Sequence, residues 1–502
     1  MNRWQSALKQ HAASSPKRRA IKDDHSDFSW KDLESILHNL ATIPIDWAIP
    51  LVIAGQRNAQ TVIGVWWTLC SDGQGLAIER TQIATTLPRL GAVLGRHNLL
   101  IHEADLVGFS DLFRDLGYDE AQATVLDVFD ADPILGRPLI LPKLEGSHHH
   151  LPETCGWLLM TSGSTSQPKL VMIERQDLMA RAESEISEFG ISANEVVLNI
   201  LPISHDVGFN QVLSSIVSGC SLIVQGHPSS ERFRKNLREE RVTGISGAPM
   251  MWLSFLRNNE GEEIFSAVRY LTISGGTLAV PDIQRLQKKF PRSSIYRTYG
   301  QTETFRSLIQ KDTPGSEIRA THGSPVEKVR LSLVGENGDV IDGPGPGELV
   351  HEGVGTMLGY YPTIMPLRKV RTGDFFTQDA EGNYHYIGRR DDQIKRWEFR
   401  MHLSEVEEAI RTCPGVAQAC VLSRPVPDGR QNALVGFVVL SGVDSSRVSE
   451  SDLIDFCKKI LAAPKVPDRI FIEAGLPETP SRKVDRATLM KMWEERDAGK
   501  KD

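Results

Sequence analysis

Residues 155–169 read CGWLLMTSGSTSQPK, an apolar run, Cys155–Met160, that breaks into a hydroxyl-rich loop closed by Lys169. A short apolar run ending at a cluster of Ser, Thr and Gly reads as a core strand delivering its chain to a loop. The loop offers hydroxyl and amide donors together with one ammonium group, a set able to surround phosphate oxygens. It is not a Walker loop, because the second glycine and the Lys-Ser/Thr pair are missing. Taken alone, such a loop is equally a surface turn.

Working outward from this stretch, the same texture repeats. IPLVIAG, LLIHEA, EVVLNIL and CSLIVQG are short apolar runs between about residues 28 and 225, and DLMARAESEISEFG is a helical stretch among them. Apolar runs alternating with helices predict parallel α/β layers. Around 325–388 the pattern changes to short alternating strands with turn signals, VRLSLVGENGDVIDGPGPGELVHEG and DAEGNYHYIG, which predicts an antiparallel β subdomain. After Gly388 the charged stretch GRRDDQIKR leads into a helix, HLSEVEEAIRTC, strands AQACVLSRP and NALVGFVVL, and a helix, SDLIDFCKKIL. The expected fold is α/β: a large N-terminal domain with a β subdomain over residues 1–388, and a small mobile α+β domain over 389–502.

Composition agrees with a folded enzyme of more than one domain: 502 residues, 40% hydrophobic and 24% charged, exceed what one core organises. A net charge of −7 with interspersed signs argues against a nucleic-acid partner. The six cysteines, at 70, 155, 220, 413, 420 and 457, lie singly and read as reduced, mostly buried thiols. The N-terminus has no apolar signal core, and runs such as Trp47–Ala54 and Val62–Leu69 are too short to span a bilayer. A cytoplasmic protein without a membrane partner is the expectation. His148–His150 reads as a solvated tract rather than a metal site.

Three further stretches carry chemistry. In Tyr299-Gly-Gln-Thr-Glu303 an aromatic face suits a base, a threonine hydroxyl a phosphate and a carboxylate Mg²⁺. Arg371-Thr-Gly-Asp374 and Gly388-Arg389 place a carboxylate and a guanidinium after tight turns, suited to ribose hydroxyls or simply to salt bridges. Pro480-Ser-Arg-Lys-Val-Asp-Arg486 holds Lys483 in a basic turn that by itself is an ordinary solvated charge.

Taken in order, these motifs resemble the adenylate-forming (AMP-binding) superfamily of acyl-CoA synthetases, non-ribosomal peptide adenylation domains and luciferases. The resemblance runs from FSWKDLESILHNLA through TSGSTSQPK, SGGTL, YGQTE, GELVHEG…GYY, RTGD and GRRDDQIK to LPETPSRKVDR. It implies an AMP-forming acid ligase using ATP and Mg²⁺, in which a carboxylate attacks the α-phosphate and the protein positions groups and neutralises charge. By resemblance, Thr161, Ser162, Gly163, Ser164, Thr165 and Lys169 cradle the β- and γ-phosphates, and Gly276, Thr277 and Tyr299 line the adenine slot. Thr302 touches the α-phosphate, Glu303 holds Mg²⁺, Asp374 accepts the ribose hydroxyls with Arg389 beside it, and Lys483 is the catalytic cation. Asp391 marks the hinge of the C-terminal domain. His205, Asp206, Asn210 and Met250 fall on the acid-substrate side.

The motif Leu201-Pro-Ile-Ser-His-Asp-Val-Gly-Phe-Asn210 leaves two readings open. Its His-Asp-x-Gly form is closer to acyl-AMP ligases, with His205 gating an acyl acid; Asp206 nonetheless lies where amino-acid adenylation domains hold the substrate amine. Met250, Met251 and Trp252 suit an apolar or aryl acid, or the core.

Several positions depart from the family pattern. Ser166 and Leu170 replace glycines of the phosphate loop, Arg482 stands before Lys483 where a glycine is usual, and Glu398 occupies a glycine position that lies against the pantetheine arm in thioester-forming members. A carboxylate there opposes CoA, which makes an amine acceptor the alternative to CoA or a phosphopantetheine carrier. The chain ends soon after Lys483, so a carrier is expected as a separate protein. Against all of these stands a degenerate member that binds a nucleotide without catalysis; the complete set Glu303, Asp374, Arg389 and Lys483 speaks for the enzyme.

Overall fold

The computed structural model describes residues 2–43, 45, 47, 49–84, 86, 90, 98–102, 118–126, 139–144, 151–161, 169–226, 230–256, 266–335, 337–341, 343–390, 392–396, 399–425, 432–440, 448–478 and 484–498. Two large sheets share one core. In the first, Leu51–Gly55, Gly75–Glu79, Asn98–His102 and Cys155–Thr161 run parallel; in the second, Val196–Asn199, Ser221–Val224, Gly244–Gly247, Tyr270–Ile273 and Ser294–Tyr299 do. Side chains alternate between the faces of a strand, and both faces here are covered, so the runs are apolar throughout. Ile53 and Trp157 join the core shared with the second sheet, whereas Val52 and Leu158 pack into a separate outer cluster.

Three helices fill the space between the sheets. Ala59–Cys70 is buried at every residue, which is why AQTVIGVWWTLC shows no polar face. Arg175–Phe189 and Asp206–Ser218 pack against each other and stop at Gly190 (φ 61°) and Gly219 (φ 72°), left-handed caps that a glycine adopts without strain. Trp157 stacks on Phe209 with ring centroids 4.7 Å apart, and Trp66 donates its indole N–H to Val212 O at 3.0 Å. The helix beginning at Asp206 is thereby tied to both neighbours.

Cys155–Thr161 and Lys169–Glu174 form an antiparallel hairpin with Thr161 opposite Lys169. The reason is length: a parallel return needs a crossover of about a dozen residues or more, and 162–168 is too short.

The β subdomain is a five-stranded antiparallel sheet, in which Lys369–Gln378 pairs with Gly345–Gly353 on one side and Tyr384–Arg389 on the other. Beyond it, Val416–Pro425, Asn432–Leu440 and Arg469–Glu473 form a three-stranded sheet covered by Leu403–Arg411, Glu450–Ile460 and Arg486–Ala498, with its own apolar clusters. All six cysteines are free, Cys413 half-buried and the others buried. Among the described residues no helix is long and apolar enough to cross a membrane. His148–His150 lies outside them.

Candidate functional site

The strand Ser294–Tyr299 ends in a tight curl. Ser307 N donates to Tyr299 O at 2.8 Å, Thr304 N to Gln301 O at 3.0 Å, and Gln301 N to Thr304 Oγ1 at 3.1 Å. Gly300 permits the closure, since a Cβ there would lie 1.7 Å from Phe305 O. Phe305 sits at φ 57°, a conformation costly for a non-glycine residue and held by the surrounding bonds. The curl presents Tyr299, Gln301, Thr302 and Glu303 half-buried, with Thr304–Ser307 buried beneath.

Asp374, 5% exposed, meets this curl. Its Oδ2 accepts from Tyr299 Oη at 2.6 Å and from Gln301 Nε2 at 2.7 Å, and Arg389 Nε stands 3.4 Å from its Oδ1. The sheet register explains the last contact, because Asp374 and Arg389 are direct partners across adjacent strands. The turn is fixed from below: buried Glu348 binds Arg371 and Arg390 and accepts from Gly373 N at 3.1 Å. Burial, and then the neighbouring Asp374 carboxylate, push the Tyr299 hydroxyl well above its ordinary pKa, so it stays a donor.

Glu303 has a different neighbourhood. Tyr360 Oη donates to Glu303 Oε1 at 2.6 Å, and Lys169 Nζ lies 4.8 Å from the Tyr360 ring centroid. Gly359–Tyr360 pairs with Val171 and Met172 on the strand that starts at Lys169, which carries that end of the Cys155–Glu174 hairpin to the Tyr299–Glu303 curl. Burial first, then Glu303, raise the Tyr360 pKa and keep its proton in place.

Of the residues expected to border the acid, His205 is the N-cap position and Asp206 the first residue of the helix Asp206–Ser218. The turn before them is held by Glu79, whose Oε1 accepts from Ile203 N at 3.2 Å, and by Arg57, which donates to Ile200 O. Asn210 does not face a substrate cleft. It is 1% exposed and donates to Glu185 Oε2 at 2.7 Å, so its side chain is held against the helix Arg175–Phe189. Trp252 is likewise core, fully buried with its N–H on Thr272 O at 2.9 Å, and Met251 packs beside it. Met250 stays half-buried and accepts a 3.1 Å contact at Sδ from Gln418 Nε2 of the C-terminal region.

At the end of the strand Tyr270–Ile273, Ser274 Oγ and Thr298 Oγ1 are 2.7 Å apart. Gly275 turns at φ 80° with open space where a side chain would stand, and Gly276 and Thr277 are exposed beyond it. A bare backbone edge beside Tyr299 suits a flat base. The donor set fits the rest of a nucleotide: a buried carboxylate flanked by a guanidinium for hydroxyls, and a carboxylate near an ammonium for a metal-bound phosphate.

Tyr299, Asp374 and Arg389 are therefore brought together, as are Glu303 and Lys169, with Thr161 opposite Lys169. Ser162, Gly163, Ser164, Thr165, Asp391 and Lys483 lie outside the described residues, as do Ser166, Glu398 and Arg482. Sequence reasoning missed Gln301 and Tyr360 as site residues. Both stand inside the quoted motifs, but their partners are remote in sequence.

The chain belongs to the AMP-binding enzyme family, whose model matches residues 109–361, and the AMP-binding enzyme C-terminal domain matches residues 405–483. One of the plipastatin synthase proteins of Bacillus subtilis is 25% identical over 96% of this chain, which spans 14% of that protein. The 2-hydroxy-7-methoxy-5-methyl-1-naphthoate–CoA ligase of Streptomyces carzinostaticus is 27% identical over 90% of this chain and 79% of its own length. Among solved structures, the amide bond synthetase McbA of Marinactinospora thermotolerans superposes with a TM-score of 0.80 at 18% identity, covering 98% of this chain and 99% of that one. The O-succinylbenzoate coenzyme A synthetase of Bacillus subtilis, in complex with ATP and magnesium, gives 0.76 at 21%, covering 96% and 99%. These two likenesses are of fold.

Proposed function

We propose that this chain is an ATP-dependent carboxylic acid ligase that forms an acyl adenylate, releasing pyrophosphate, and passes the acyl group to a thiol of CoA or of a separate carrier protein. The observation that carries the reading is the meeting of Asp374 with Tyr299, Gln301 and Arg389 beside the Lys169–Tyr360–Glu303 row. Asp374 accepts ribose hydroxyls; Gly276, Thr277 and Tyr299 border the base; Thr161–Thr165 and Lys169 receive the β- and γ-phosphates and Thr302 the α-phosphate. Mg²⁺ held at Glu303 supplies charge neutralisation on the phosphates. Lys483 bridges the acid and the α-phosphate where negative charge builds, and His205, Asp206 and Met250 border the acid. In this reading residues 1–388 bind both substrates, and 389–502, turning at Asp391, deliver Lys483.

A second reading, transfer to an amine, is favoured by Glu398 at the glycine position that faces pantetheine in thioester-forming relatives. ATP–pyrophosphate exchange over aryl, fatty and amino acids, with Lys483→Ala beside wild type, tests the first step. Exchange confined to one acid class and lost in the variant is the expected result; nucleotide binding without exchange for any acid sinks the ligase reading. Offering CoA and then amines to the active acid separates the two acceptors.

A further inference from the structure

Behind the site lies a buried charged junction that nucleotide contact does not explain. Glu185, 2% exposed in the middle of the helix Arg175–Phe189, accepts three side chains from two elements. Asn210 Nδ2 donates to its Oε2 at 2.7 Å and Ser214 Oγ to its Oε1 at 3.1 Å, both from the helix that begins at Asp206. Arg306 Nη2 donates to Oε2 at 3.1 Å, from within the Tyr299–Ser307 curl.

Arg306 is 3% exposed, and its guanidinium also lies 4.6 Å from the Phe189 ring and 4.9 Å from the Phe305 ring. Arg181 also stands 5.3 Å from the Phe305 ring. The strained Phe305 is thus flanked by two cations, Arg306 neutralised by Glu185 and Arg181 by Asp177. Asn210 Oδ1 and Arg306 Nη1 are buried without a partner among the described residues. Asn210 Nδ2 and Arg306 Nη2 have no other carboxylate partner among the described residues, so both side chains depend on Glu185.

We infer that Glu185 is a positioning residue of the ligase reaction: by holding Arg306 and the Asn210–Ser214 face together, it sets the nucleotide curl against the acid-side helix. The inference rests on the proposed function for the meaning of the two sides, but not for its test. A core ion pair with no such role would contribute to stability and leave ligand affinity alone.

The probe is MgATP, titrated calorimetrically into the full chain, with thermal unfolding measured in parallel. Glu185→Gln should weaken MgATP binding about tenfold, although Glu185 touches no nucleotide-facing group, and Arg306→Lys should be milder than Arg306→Met. Ser214→Ala, which removes one donor and keeps the buried charge pair, should weaken MgATP about two- to threefold in the wild-type background and not at all in Arg306→Met. Lowered thermal stability with MgATP affinity unchanged in Glu185→Gln and Ser214→Ala overturns the inference; if Glu185→Gln fails to fold, Ser214→Ala decides it. A wild type that binds MgATP but exchanges pyrophosphate with no acid defeats the proposed function and leaves this affinity test standing.

Discussion

Asp374→Asn should weaken nucleotide binding while leaving the fold in place. The carboxylate is 5% exposed, and both protein donors, Tyr299 and Gln301, converge on one oxygen, Oδ2, at 2.6 and 2.7 Å. The asparagine carbonyl can take that place and keep both bonds, which turns its NH₂ toward Arg389, 3.4 Å from Oδ1 in the wild type. The Arg389 side chain is 50% exposed, so loss of this ion pair costs at most about 1 kcal/mol after solvent screening. A ribose hydroxyl reaching the same edge would meet a donor instead of a charged acceptor. Hydrogen bonds to charged groups contribute about 1.5–3 kcal/mol, or roughly 10- to 100-fold in affinity. Calorimetry with MgATP should show a loss of that size, while the urea midpoint moves by no more than the loss of the half-exposed Arg389 contact explains. Wild type should prefer ATP to 2′-deoxyATP, and the variant should bind the two alike. Unchanged MgATP affinity, or undiminished discrimination in the variant, would refute the assignment of Asp374 to the ribose.

Two other perturbations test how the site is supported. His351 is fully buried, with Nδ1 3.0 Å from Ser307 Oγ and Nε2 3.0 Å from Val354 O, and burial pushes its pKa down to about 4 from 6.5. Its folded pKa being the lower one, the stability is present above pH 6.5 and is lost as pH falls toward 4, by about 2.5 kcal/mol at pH 4.5; urea unfolding of wild type and His351→Gln at pH 7 and 4.5 should show a pH-dependent difference of that sign, and a constant difference would count against it. Gly300→Ala places a Cβ 1.7 Å from the Phe305 carbonyl, so the curl must open, costing about 1–3 kcal/mol and most of the MgATP affinity; a variant with wild-type unfolding and titration curves would show that the closure is not needed.

How much was legible in the sequence depends on range. The strands around IPLVIAG, GWLLMT, EVVLNIL and CSLIVQG and the helix within DLMARAESEISEFG stand where periodicity puts them, because strand alternation and helix capping are local. The motifs also pointed to Tyr299, Asp374, Arg389, Glu303 and Lys169, which the fold gathers into two neighbouring clusters.

Asn210 and Trp252 show the limit. Both lie in segments expected to border the acid, yet one turns to Glu185 and the other into the core, since which way a residue faces is decided by the helix or strand packed behind it. Gln301 on Asp374, Tyr360 on Glu303 and Arg306 on Glu185 join residues 73, 57 and 121 positions apart. The amino-acid sequence determined the layers and the inventory of reacting groups, because propensity, pattern and side-chain chemistry are carried by neighbouring residues. Which oxygen meets which donor was decided by the tertiary structure alone, because hydrogen bonds fall off within fractions of an ångström and only the packed sheets bring such distant residues that close.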